Sequence, residues 1–95
     1  MEKECQDDLN KKFHALSNQT RREILNRLNV RPQSAGEIAR SFQITSASIS
    51  YHLSLLKESG LISCCQIKRH RIYKIKREAL DEVYLWLTKL YEDQN

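Results

Sequence analysis

The chain has 95 residues, 16 basic against 12 acidic side chains and a formal charge of +4, which suits one small domain spanning 1–95 and leaves no room for a second. With 40% apolar and 29% charged residues but only 2 Gly and 1 Pro, it has the composition of a helix-rich globular protein. That composition is neither disordered nor collagenous and serves large all-β folds poorly, and the length argues against most enzyme folds.

No apolar run reaches the roughly 20 residues that cross a bilayer, and Met1-Glu2-Lys3-Glu4 shows no secretory apolar region. A soluble cytoplasmic chain with no direct membrane insertion is therefore expected. The three cysteines, Cys5, Cys64 and Cys65, are an odd number with two of them adjacent, so no disulfide framework is implied and a reducing compartment fits.

In chain order, Leu9, Phe13 and Leu16 recur at i, i+4 and i+7 and predict a short first helix with one apolar stripe. Asn18 is placed to cap a second helix whose buried face is Ile24, Leu25 and Leu28, running to about Asn29. Arg31-Pro32 ends it, because the residue before proline is pushed out of helical geometry. Ser34-Ala35-Gly36-Glu37 has the form of a capping box and opens a short third helix with Ile38, Ala39 and Phe42 inward. Thr45 caps a fourth, in which Ile49, Leu53 and Leu56 face inward until Gly60 closes it. Two capped helices joined by a very short turn make a helix-turn-helix.

Beyond Gly60 the period changes. Leu61 and Ile62 open a β-rich run to Ile67, Ile72, Tyr73 and Ile75 mark a second, and Lys68-Arg69-His70-Arg71 lies between them as the tip of a hairpin. A last helix runs from about Arg77 to Tyr91, with Leu80, Val83, Tyr84, Leu87, Leu90 and Tyr91 on one side and Leu85 and Trp86 elsewhere, a stripe wider than a lone surface helix needs. The expected architecture is mainly α with a small β-hairpin, five helices in all.

Charge is concentrated: Lys68, Arg69, Arg71, Lys74, Lys76 and Arg77 follow one another with no acid among them, while Glu78, Asp81, Glu82, Glu92 and Asp93 make the end acidic. At about 100° per residue, Ala47, Tyr51 and Ser54 point away from the buried side of the fourth helix, flanked by Ser48 and Ser50. Small residues let a helix backbone approach the floor of the major groove, and hydroxyls contact base edges or phosphates, with Tyr51 the longest reader. A solvated face and a satisfied polar surface would also use these residue types. The combination of such a face, a capped partner helix and a basic hairpin favours DNA.

Ala15-Leu16-Ser17-Asn18-Gln19-Thr20-Arg21-Arg22-Glu23-Ile24-Leu25 resembles the opening signature of ArsR/SmtB-type winged helix-turn-helix repressors. Ser48-Ile49-Ser50-Tyr51-His52-Leu53-Ser54-Leu55-Leu56-Lys57-Glu58-Ser59-Gly60-Leu61-Ile62 resembles their recognition helix and its exit into the wing. The resemblance runs from about Phe13 to the end; Gln19 departs from it, standing where many members have proline, which is favourable there but not essential.

The resemblance implies a homodimeric, sequence-specific repressor, dimeric through the first and last helices, with an interface of Leu9, Phe13, Leu80, Val83, Tyr84, Leu87, Leu90 and Tyr91. It implies an inverted-repeat operator of double-stranded DNA, autoregulation, and recognition helices in successive major grooves about 34 Å apart. The DNA contacts would come from Ser34, Thr45, Ser46, Ala47, Ser48, Ser50, Tyr51 and Ser54, with Lys68, Arg69, His70 and Arg71 of the wing along the backbone or in the minor groove. His52, the motif histidine, lies nearer the buried side, where packing and hydrogen bonding are its expected roles.

Both metal sites of such repressors lack their ligands here. Glu37-Ile38-Ala39-Arg40-Ser41 stands where one type has Cys-x-Cys, and no histidine follows His70 on the last helix. No metal and no cofactor is therefore expected, which resembles the metal-site-lacking, SdpR-like branch, whose availability a protein partner controls. A metal- or redox-responsive repressor using Cys64 and Cys65 is the alternative, although neighbours on a strand point to opposite faces. A winged-helix protein-interaction module without DNA binding is the other. An enzyme is the weakest option, since no nucleophile, base and orienting group stand together in the pattern and there is no phosphate-cradling glycine loop.

Overall fold

The computed structural model describes the backbone of residues 2–92 and the side chains of residues 8–92. The acidic start from Glu2, with Cys5, lies outside the described side chains. Five helices and three strands follow in the order α1 (Glu2–Leu16), α2 (Gln19–Val30), β1 (Gln33–Ser34), α3 (Ala35–Arg40), α4 (Ser46–Glu58), β2 (Ile62–Ile67), β3 (His70–Ile75) and α5 (Arg77–Glu92).

The helix boundaries follow from local chemistry. Asn18 accepts a hydrogen bond from the Arg21 amide at 3.1 Å and Thr45 one from the Ser48 amide at 3.1 Å, each satisfying a donor that the first helical turn leaves without a partner. Ser34 and Glu37 form the reciprocal capping box: the Glu37 amide donates to Ser34 Oγ and the Ser34 amide to Glu37 Oε1, both at 3.1 Å. At the far end of α2, buried Gln33 donates to the Arg27 carbonyl at 2.7 Å, a partner for an oxygen the helix no longer uses.

The exit from α4 is built from three residues. Ser59 Oγ donates to the Leu56 carbonyl at 2.6 Å and accepts from the Leu61 amide at 3.2 Å, while Gly60 takes φ 85°, a left-handed conformation that glycine adopts without cost. Leu61 and Ile62 are thereby turned into the interior, where they meet Ile24, Ile38, Ile49, Leu53 and Leu56, none more than 2% exposed. Each such side chain contributes about 1.5–3 kcal/mol by leaving water.

The hairpin of β2 and β3 is one part of a three-stranded antiparallel sheet in the order β1-β3-β2. Residues 33 and 34 carry no periodicity of their own, so the sequence gives a hairpin where the structure has a third strand; Gln33 pairs with Tyr73 and Ser34 with Ile72. The tip is also narrower than expected. His70 and Arg71 already belong to β3, opposite Ile67 and Gln66, and only Lys68 and Arg69 make the turn, with Lys68 at φ 56°. Burial fades along β2 from Ile62 to exposed Ile67, because the hairpin runs out past the core as a wing.

α1 and α5 pack side by side. Lys12, whose side chain is only 8% exposed, meets Glu82 Oε2 at 3.1 Å, and Phe13 contacts Trp86 edge to face at 5.2 Å between ring centroids. No described helix is long and apolar enough to cross a membrane.

Candidate nucleic-acid interface

α3 and α4 meet through their inner faces and leave the outer face of α4 open. Thr45, Ser46, Ala47, Ser50, Tyr51 and Ser54 are exposed and Ser48 is half-buried, while Ile49, Leu53 and Leu56 hold the helix to the core. Thr45 and Ser48 also share a hydroxyl contact of 3.0 Å, so the first turn is pre-ordered. Ser34 sits apart from this face. It is half-buried at the start of α3, with its Oγ lone pair engaged by Glu37, which leaves its hydroxyl hydrogen for a partner outside. The Glu37 carboxyl is held below its usual pKa by the Ser34 amide and by Arg31, whose Nη2 lies 2.9 Å away.

The wing stands beside this helix. Lys68, Arg69, His70 and Arg71 are all exposed, and the strand order places β3 between the short β1 edge and β2. Arg71 and Tyr73 meet Ser50, Ser54 and Lys57 of α4 in a cleft between helix and wing. Sequence reasoning missed Lys57 and Tyr73. Lys57 was legible, since 50, 54 and 57 form one stripe at helical spacing; Tyr73 was not, because an aromatic in a strand is ordinarily a core residue.

Beneath the outer face of α4 lies a joint centred on buried Arg21. Arg21, 5% exposed, donates from Nε to the Ala15 carbonyl at 2.9 Å and from Nη2 to the His14 carbonyl at 3.1 Å, and its Nη1 lies 3.2 Å from His52 Nδ1. A guanidinium has no acceptor, so Nδ1 must accept and His52 is neutral with its proton on Nε2. Burial and then the Arg21 charge both push the His52 pKa down. The histidine thus packs and hydrogen-bonds as its position on the helix suggested.

The proposed interface residues divide between the chain's own interior and solvent. Val83 is buried within the chain, Leu80 packs against the core, and Leu9 and Phe13 are half-buried. Tyr84, Leu87, Leu90 and Tyr91 are exposed, Tyr91 at 79%, and Leu85 and Trp86 widen the apolar surface beside them.

Cys64 is half-buried opposite Tyr73 and Cys65 is exposed opposite Ile72, so strand alternation sends the two thiols to opposite faces. Burial, followed by the neighbouring Cys64, raises the Tyr73 pKa, against a smaller opposing influence from Arg71. Among the described residues, no three His, Cys, Asp or Glu side chains converge as a metal site would require.

A helix-turn-helix whose second helix leads into a β-hairpin beside it is a winged helix-turn-helix. The family model described as Bacterial regulatory protein, arsR family, matches residues 18–63. The chain is 35% identical over 79 residues, 83% of its length and 88% of the relative's, to Transcriptional repressor SdpR of Bacillus subtilis. It superposes with a TM-score of 0.84 and 34% identity on a crystal structure of an ArsR family transcriptional regulator, RHA00566, covering 90% of this chain and 89% of that one. A winged helix-turn-helix DNA-binding domain from Mycobacterium bovis, described as homodimeric, shares the fold at a TM-score of 0.74 and 22% identity over 93% of this chain and 82% of that one. The chain belongs to the ArsR family of bacterial transcriptional regulators, which are not enzymes.

Proposed function

We propose that this protein is a dimeric, sequence-specific transcriptional repressor of the cytoplasm, acting as one DNA-binding unit on an inverted-repeat operator, that of its own gene included. The observation that carries this reading is the pairing of an acid-free, hydroxyl-rich helix face with an acid-free cationic wing: no Asp or Glu occurs from Thr45 to Lys57 or from Ser59 to Arg77. Acids or bulky hydrophobes on that face would have suited a protein-interaction module. In this reading Thr45, Ser46, Ala47, Ser48, Ser50, Tyr51 and Ser54 enter the major groove, Ser34 donates to a phosphate, and Lys68, Arg69, His70 and Arg71 follow the backbone or the minor groove.

A second copy supplies the symmetry. Tyr84, Leu87, Leu90 and Tyr91 are candidates for burial against their equivalents, with Leu9, Phe13 and Leu80 at the edge and Val83 supporting from within. The repressor activity of SdpR and the homodimer described for the Mycobacterium bovis domain accord with this assignment. Because the positions of both family metal sites carry other residues in this sequence, control of availability by a protein partner is the form of regulation the reading favours.

Enrichment of random duplexes by the purified protein, at two salt concentrations and with zinc and oxidant in parallel, tests it. One inverted repeat enriched in all arms is the expected result. Weak, steeply salt-dependent binding without a motif would leave only charge attraction and hand the lead to protein interaction, whereas release confined to the zinc or oxidant arm would make Cys64 and Cys65 the sensor.

A further inference from the structure

The cleft between the C-terminal half of α4 and β3 is lined by Ser50, Ser54, Lys57, Arg71 and Tyr73. All five side chains can donate a hydrogen bond, two of them are cations, and no carboxylate lines the cleft. Ser50, Ser54 and Lys57 reach it from one stripe of the helix, and Arg71 and Tyr73, two residues apart on β3, reach it from one face of the strand. Among the described residues, neither Lys57 nor the hydroxyls of Ser50 and Ser54 make a side-chain hydrogen bond or ion pair within the chain.

We propose that this cleft is a phosphate seat for one phosphodiester of the DNA backbone, with Lys57 and Arg71 supplying the charge and Ser50, Ser54 and Tyr73 the hydroxyl donors. The assignment rests on the reading of the protein as a DNA-binding repressor. If α4 lies in a major groove and the wing in the adjoining minor groove, the backbone that separates those grooves must pass between the two elements. A phosphate offers acceptors alone, and neither lysine nor arginine can accept, so an all-donor lining of this kind matches it. An additional task for Lys57, complementing the dipole at the end of α4, does not depend on DNA and is separable by experiment.

The experiment uses the full chain and the enriched duplex with each phosphate in turn replaced by a neutral methylphosphonate, bound by the parent and by Lys57→Gln. One phosphate in each half-site is expected to cost the parent about tenfold or more in affinity when neutralised and to cost Lys57→Gln nothing further. The variant's salt slope should fall by about 0.9 per protomer, and Lys57→Arg should restore both. Parent affinity and slope in Lys57→Gln, or a methylphosphonate profile identical to the parent's, would overturn the assignment. Titration with inorganic phosphate, followed by the amide resonance of Lys57, separates the two sources of the anion: saturation in the absence of DNA would make this a free-phosphate site and also overturn it. A parent that binds no duplex at all would instead remove the repressor reading on which the assignment rests.

Discussion

The outer face of α4 and the distal half of α5 are both solvent-exposed in one protomer, yet their chemistry is opposite. The first carries Thr45, Ser46, Ala47, Ser50 and Ser54 beside a cationic wing; the second carries Tyr84, Leu85, Leu87, Leu90 and Tyr91. Isolated exposed hydrophobes are ordinary, but several adjoining on one helix are the mark of a surface meant for another apolar surface. A small polar face flanked by positive charge suits a polyanion. In the proposed reading, one face sets how the copies are placed and the other what they touch.

The strongest way to break this contrast is to charge the apolar side. Leu87→Asp with Leu90→Asp is expected to raise the dimer dissociation constant by at least about 100-fold, roughly 3 kcal/mol, since each buried methyl group is lost and a carboxylate must be desolvated. Sedimentation velocity reads the loss directly, and operator binding should fall with it while the circular dichroism spectrum is retained. A doubly substituted protein that stays dimeric would move the interface elsewhere. On the polar side, Arg69→Ala with Arg71→Ala should lower the salt slope of operator binding by about 0.9 for each arginine removed, counted over both protomers, and weaken all sequences alike. Unchanged affinity would detach the wing from binding.

How much of this was legible in the sequence differs between the two regions for a physical reason. The N-cap of α2, the capping box, the Thr45 cap and the Gly60 exit depend on interactions three residues apart or fewer, so local spacing revealed them. The exposed outer face of α4 followed from the helical period of Ile49, Leu53 and Leu56. β1 was missed because two residues show no period, and its existence depends on partners some forty positions away. On α5, periodicity marked the apolar stripe, but it could not divide the stripe between Val83, buried within the chain, and Leu87, left to solvent, because that division depends on tertiary packing such as that of α5 on α1. Lys57 and Tyr73 came together only through the packing of helix on wing.

Arg21 ties α4 to α1, the helix against which α5 packs, since it is bonded to the carbonyls that end α1 and to His52 on α4. Arg21→Met keeps much of its length and removes three donors, leaving the buried Ala15 carbonyl without its partner at 2.9 Å. The expected loss is about 1–3 kcal/mol in urea unfolding. Operator affinity of the remaining folded protein should fall as well, because α4 loses its anchor at His52; a variant that unfolds like the parent and binds like it would show that core packing alone orients the helix.

The smallest effect expected is a pH dependence through the same joint. The His52 pKa is lowered from its ordinary value near 6.5 by burial and then by Arg21, so between the folded and unfolded values the unfolded chain binds the extra proton. Stability from this group is fully present above about pH 6.5 and is lost as pH falls through the lowered folded value. The groups placed around the ring are Arg21 from α2 and Tyr51 on α4 itself, whose ring centroid is 5.6 Å away, and neither offers a negative charge to stabilise an imidazolium. Protonation also removes the acceptor at Nδ1, so the contact with Arg21 changes from a hydrogen bond to a repulsion between cations. Urea midpoints of the parent and His52→Gln, measured between pH 7.5 and 5, should therefore converge or cross on acidification, the parent losing more. Parallel profiles would mean that the proton is accommodated without disturbing Arg21, and the joint would then be held by the two α1 carbonyls alone.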